Sequence, residues 1–240
     1  MTTFRIDDIG ASTKLYNQHA KEKWRFFPFA NFWFFKIVEP FRGWAKYEEL
    51  TAFEWNKFLD IFNEYNIRPI IAVTACWVEK DGRPVPFPEK FPEQAAVLKK
   101  ALKDDKIEIA NHGLTHCVVG RHRPKFWGSN RRYHREFWPW LPKDVHEEHI
   151  VKSQGILESY FESKINILVP PGNVWSTKTC EAMKGTNLDT VLCNRNMMDS
   201  DKCDCEIKFV DDRYGYFNFH DRELKLYGGE WLVSNIKNNL

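Results

Sequence analysis

Strand-like and helix-like stretches alternate along this 240-residue chain, and that alternation limits its fold more than any other feature. Ile70, Ile71 and Val73 sit in a nearly continuous apolar run from Ile67 to Ala75, the pattern of a strand buried on both faces. Before it, Leu50, Phe53, Phe58, Phe62 and Tyr65 recur at spacings of three to five, which predicts an amphipathic helix over Tyr47 to Tyr65. After it, Pro92 to Asp104 opens on proline and closes on lysines, as a helix does. Further strands are predicted at Phe4 to Asp7, Ile107 to Ala110, Ile165 to Val169, Thr190 to Cys193, Ile207 to Val210 and Tyr216 to Phe219. Helices are predicted over Asp144 to Phe161 and after a cap at Ser176 or Thr177. Strands alternating with helices give a parallel sheet, most simply an incomplete or distorted (β/α) barrel of the α/β class. Ligands of such a barrel gather where its strands end.

Hydrophobic residues at 43% and charged residues at 28% supply a sizeable core and exclude a disordered chain. No repeat or linker divides the sequence. A single domain over 1–240 is expected, with an aromatic-rich insertion at 16–46 and a basic, aromatic loop at 120–142. The net charge of +2 gives no electrostatic case for nucleic acid. The chain enters structure at Phe4 with no basic, apolar leader, and its apolar-rich run Phe26 to Phe35 falls short of the ~20 residues that span a bilayer. A cytoplasmic location is expected. The six cysteines (76, 117, 180, 193, 203 and 205) are irregularly spaced, so reduced thiols are expected, with a zinc knuckle at Cys203 and Cys205 as the alternative.

The chemistry concentrates at strand ends. His112-Gly113-Leu114-Thr115-His116 follows a predicted strand and places two imidazoles four apart, close enough to converge on one ion. Taken alone, the pattern reads more readily as two partly exposed histidines. Asp7-Asp8 ends the first strand, where adjacent carboxylates repel unless a cation or partner offsets them. A carboxylate and two histidines together form a ligand set for a catalytic divalent ion with open positions. The second aspartate is then free to act as a base.

These motifs, in this order, resemble the polysaccharide deacetylases of carbohydrate esterase family four. Arg5-Ile6-Asp7-Asp8-Ile9-Gly10 is similar to the family's first motif, and Asn111-His112-Gly113-Leu114-Thr115-His116 to its second, with Gly113 where serine or threonine is usual. Val169-Pro170-Pro171-Gly172-Asn173 approaches the third, and Phe219-His220-Asp221 the fifth. The resemblance implies Asp8, His112 and His116 as ligands of one divalent ion, Zn²⁺ first, with Co²⁺, Ni²⁺ or Fe²⁺ as substitutes. It further implies Asp7 as general base and His220 as the acid that protonates a leaving amine. The expected substrate-contacting set is Arg5, Pro171, Gly172, Asn173, Trp175 and Arg195. The arginine of the third motif is missing, with Val169 nearest its place; Arg5 and Arg195 are the two candidates to replace its charge.

The implied activity is hydrolysis of an N-acyl group, typically acetyl, from an amino sugar in surface-polysaccharide or lipopolysaccharide assembly. Two other readings stand beside it: a non-catalytic glycan-binding descendant, and a metal amidohydrolase acting on a non-sugar amide. Arginines and aromatics between Arg121 and Trp140 suit a nucleotide- or lipid-linked sugar. The aromatics between Trp24 and Trp44, flanked by lysines, read as core, as a sugar-stacking floor or as a peripheral membrane contact.

Overall fold

The computed structural model of the chain describes residues 2–15, 49–79, 81–119, 135–194 and 207–240. The insertion 16–46, most of the loop 120–142, Arg195, Cys203 and Cys205 lie outside the described residues.

Seven strands make one sheet: β1 (Thr3–Ile9), β2 (Ile70–Val73), β5 (Glu108–Asn111), β6 (Ile167–Leu168), β7 (Thr190–Cys193), β8 (Lys208–Asp211) and β9 (Tyr216–His220). Their spatial order is β8-β7-β6-β5-β2-β1-β9, and every neighbouring pair is parallel. A hairpin of β3 (Cys76–Val78) and β4 (Pro84–Pro86) stands apart from it. The two edge strands β8 and β9 are joined by residues 212–215 alone. Five residue steps reach at most about 18 Å, whereas six strand spacings in a flat sheet cover roughly 29 Å. The sheet must therefore be curled. Arg5 confirms the curl directly: from β1 its Nη1 donates to the carbonyl of Leu192 on β7, four places away in the sheet, at 3.5 Å. The architecture is a distorted (β/α) half-barrel, as the alternation predicts.

Period-two alternation divides the strands between two layers. Phe4, Ile6, Ile71, Val73, Ile109, Val191 and Cys193 belong to the large core, which the helices cover. Ile70, Ala72, Ala110, Val169 and Leu192 form a second, smaller cluster on the other face. The covering helices are α1 (Ala52–Glu64), α2 (Phe87–Lys90), α3 (Pro92–Lys103), α4 (Lys143–Phe161), α5 (Thr177–Met183) and α6 (Asp221–Asn239). Helix α1 starts at a reciprocal cap, in which the Thr51 hydroxyl accepts from the Glu54 amide and the Glu54 carboxylate accepts from the Thr51 amide. It buries Trp55, Phe58, Leu59 and Phe62, and Phe62 meets Phe4 edge-on at 5.8 Å. Each such side chain contributes about 1.5–3 kcal/mol on burial.

The predicted strands and helices are present, with α1 beginning at Ala52 and β2 trimmed to Ile70–Val73. Helices α2 and α6 and the β3–β4 hairpin are not among the predicted elements. Only Leu224, Leu232 and Ile236 of the apolar residues of α6 are buried, and Gly228 breaks its helical geometry at φ 70, so no continuous apolar stripe marks it. Cys180 is disulfide-bonded, which corrects the expectation of reduced thiols, while Cys76, Cys117 and Cys193 are free and buried. Irregular spacing carries no pairing information because the fold, not the sequence interval, brings thiols together. Among the described residues, no helix is long and apolar enough to cross a membrane.

Candidate active site

The site forms where β1, β5 and β9 end. Arg5 and Asp7 point the same way along β1, and successive strand residues alternate, so Asp8 should face the helices. It does not. The β1–β2 register shifts between Ile6 and Ile9, and Asp8 adopts the left-handed conformation at φ 69. This bulge re-aims one side chain at the end of the strand. Asp8 Oδ1 then lies 3.2 Å from His112 Nε2 and 3.0 Å from His116 Nε2.

The two imidazoles are held by their other nitrogens. His112 Nδ1 is 2.7 Å from the carbonyl of Val169, which can only accept, so Nδ1 carries the proton and the Nε2 lone pair is available as a ligand. His116 Nδ1 meets the Thr13 hydroxyl at 2.8 Å. Both rings are buried, and one ligand atom from each of Asp8, His112 and His116 falls within 4.8 Å of the others. Burial works against the ionised form of Asp8, but its histidine neighbours, His116 and His220 foremost, outweigh it and hold the carboxyl well below its usual range. The donor set therefore fits a divalent cation: one ionised carboxylate and two imidazoles with ligand nitrogens turned inward.

Asp7 is gripped from below. Arg5 donates from Nε and Nη2 to the two oxygens of Asp7 at 2.9 and 2.8 Å, and from Nη1 to Asp212 Oδ2 at 2.8 Å. The guanidinium is 2% exposed. Asp7 and Asp212 raise the pKa of Arg5 against the opposing effect of burial. One cation serves two carboxylates, and burial pushes Asp212 up despite Arg5. Of the two candidates for the missing third-motif charge, Arg5 thus contacts Asp7. Arg195 lies outside the described residues.

His220 stands beside Asp7 as its register partner across β1 and β9. Its side chain is 46% exposed, and Nδ1 is 3.2 Å from Glu223 Oε2. Burial lowers its pKa, but Asp8, Glu223 and Asp7 together push it up to about 9. Glu223 in turn is lowered to about 2 by His220 and Arg222, against its own burial.

The segment after β6 makes a 3-10 turn, Pro171–Asn173, with Gly172 and Asn173 both at positive φ. Pro171 is buried and packs near Gly113, and Asn173 Oδ1 accepts from the Asn194 amide at 3.0 Å. Trp175 departs from expectation: it is 3% exposed and stacked on Phe209 at 5.9 Å, part of the core and not presented to a substrate. A ring following a turn looks the same in sequence whether it faces in or out.

Among the residues of this region that the sequence does not single out, Asp212 and Glu136 matter most. Asp212 follows β8, and nothing local marks it as the second partner of Arg5. Glu136 lies fully buried behind the histidine loop, where Leu114, Thr115 and His116 donate their amides to it. It comes from the predicted loop 120–142, whose described end also seats Phe137 in the core. Its signal, a single glutamate among arginines and aromatics, was too weak to single out.

Residues 47–191, more than half of the chain, match the family model described as polysaccharide deacetylase. This chain belongs to the polysaccharide deacetylase family. No curated protein matches it. Among solved structures it is similar to a CE4 family pseudoenzyme from Bacillus anthracis, at 9% identity, TM-score 0.47, and 79% and 57% coverage of this chain and that one. It is also similar to the deacetylase domain of BpsB from Bordetella bronchiseptica (14% identity, TM-score 0.43, 70% and 69% coverage). A third is the de-N-acetylase from Aggregatibacter actinomycetemcomitans (14%, TM-score 0.42, 78% and 70%). The chain spans 40% of the length of two mutant forms of the pseudoenzyme that it also matches.

Proposed function

We propose that this member of the deacetylase family is a metal-dependent hydrolase that removes an N-acyl group, acetyl first, from an amino sugar. The observation that carries the reading is the convergence of Asp8, His112 and His116 beside a separately held carboxylate, Asp7. Asp8, His112 and His116 would hold the divalent ion, with Zn²⁺ the best match to two imidazoles and one carboxylate. When bound, such an ion supplies Lewis acidity toward the acyl carbonyl and a nearby water.

The remaining work falls to the chain. Asp7, fixed in orientation by the two-pronged grip of Arg5, takes the proton of the attacking water. His220, protonated through its carboxylate neighbours, gives a proton to the departing amine, which leaves poorly as an anion. The missing third-motif arginine favours a non-catalytic descendant; the contact from Arg5 to Asp7 supports the catalytic reading instead. A sugar in surface-polysaccharide or lipopolysaccharide assembly, nucleotide- or lipid-linked, is the substrate class this reading implies, at a cytoplasmic site.

The test is acetate release from N-acetylated sugars by two variants. Asp8→Ala should lose both metal and turnover; Asp7→Asn should keep metal and lose about 10²–10⁴-fold in kcat. Native turnover by Asp7→Asn would remove Asp7 from the base role.

A further inference from the structure

We propose that Glu136 is the positioning residue of the metal-ligand loop, and that glycine occupies position 113 to admit its carboxylate. The inference rests on the metal-site reading above. The segment Gly113 to His116 has no regular secondary structure, and His116 itself sits at positive φ, 61. An irregular loop with amides turned inward needs acceptors. Glu136 provides them: Oε1 accepts from Leu114 at 2.9 Å and Thr115 at 3.4 Å, and Oε2 accepts from His116 at 2.9 Å. His149 Nδ1, from α4, closes the remaining side of Oε1.

The carboxylate is wholly buried, and among the described residues its partners are these three amides and one imidazole. A buried carboxylate is retained only where its lone pairs are filled. Here they are filled by the loop that carries a metal ligand.

Gly113 is the complement. A Cβ at this position would lie 2.1 Å from Glu136 Oε2, 2.9 Å from its carboxyl carbon and 3.2 Å from Pro171 Cγ. At φ +80 the backbone also disfavours any other residue. The glycine and the glutamate therefore share one volume. On the strand side the loop is tied down separately, as Asn111 Oδ1 accepts from the Gly113 amide at 2.8 Å while Asn111 Nδ2 donates to Ser153 and Gln154. Glu136 acts on the far half, where His116 must be presented to the ion.

The experiment compares the full chain with Glu136→Gln, Glu136→Ala and Gly113→Ala. It measures zinc affinity by competition calorimetry, and amide hydrogen exchange across 113–117 without metal. Glutamine keeps the shape but sets an NH₂ group against an N–H donor. Glu136→Gln should weaken zinc binding by about 10–100-fold, the usual range for groups that support a metal ligand, and should speed exchange at 114–116. Gly113→Ala should do the same in the native background, yet add much less when Glu136→Ala has already emptied the shared space. Zinc affinity within twofold of native in Glu136→Gln, or unchanged exchange at 114–116, overturns the proposal. So does full additivity of Gly113→Ala with Glu136→Ala. If Glu136→Ala does not fold, Glu136→Gln and Gly113→Ala alone decide. If the native chain binds no zinc, the metal reading fails, and the exchange measurement still decides whether Glu136 holds the loop.

Discussion

His112 and His116 are buried and tied through Nδ1 to neutral oxygens, the Val169 carbonyl and the Thr13 hydroxyl, while His220 is half in solvent with Nδ1 against the Glu223 carboxylate. The surroundings differ in what they favour. A carbonyl at Nδ1 turns the Nε2 lone pair outward as a ligand, and a hydroxyl permits the same arrangement; a carboxylate partner favours the imidazolium. Residues of one chemical type, those following β5 and the one ending β9, thus sit in opposite surroundings. On this account the buried pair holds an ion and the half-exposed ring delivers a proton.

The comparison can be broken most severely by exchanging the roles. His112→Ala should abolish zinc binding and turnover together, whereas His220→Gln should retain zinc at native affinity and lose about 10²–10⁴-fold in kcat. Calorimetry beside an acetate-release assay separates the two; loss of zinc in His220→Gln would erase the distinction. A smaller effect is expected from the support of Asp7. Arg5→Ala strands two buried carboxylates, Asp7 and Asp212, and should cost about 3–5 kcal/mol of stability by denaturant unfolding. A cost below about 1 kcal/mol would show that the guanidinium is not holding either one.

The smallest effect belongs to Glu223. The His220 pKa is raised from 6.5 to about 9, so the ion pair's stabilisation is complete below 6.5 and fades as pH rises through about 9. Glu223 is lowered from 4.5 to about 2, so its part is complete above 4.5 and fades as pH falls toward about 2. The melting-temperature difference between native chain and Glu223→Gln should therefore be widest between pH 4.5 and 6.5 and shrink toward pH 9. A cation held by Asp8 would cancel part of what raises His220. The alkaline limb of kcat should then fall below 9, and lower still in Glu223→Gln. A limb that does not move with that substitution would take Glu223 out of the proton path.

Much of this was legible before the structure. Strand ends announce themselves because a buried run such as Ile70 to Val73 has to stop at polar residues, and the proposed ligand pair His112 and His116 follows such a run directly. Arg5 could be named beside Asp7 because period two puts them on one face. The failures share a cause. Nothing within a few residues of Glu136 or Asp212 reveals the partner that gives each its role, since those partners lie about 20 and 207 residues away in sequence. The expectation that Trp175 contacts substrate fails because sequence gives a ring's position and not its facing; Phe209, which stacks on it, arrives two strands later. The Asp8 bulge was also hidden. Alternation would have turned Asp8 away from His112 and His116, and only the left-handed backbone returns it to them.

One measurement reaches the centre of the account: anomalous diffraction at the zinc edge from crystals grown with stoichiometric zinc. The account predicts a single strong peak enclosed by Asp8 Oδ1, His112 Nε2 and His116 Nε2, vanishing in the His112→Ala variant. Zinc found only elsewhere, or none among these three atoms at saturating concentration, would contradict it.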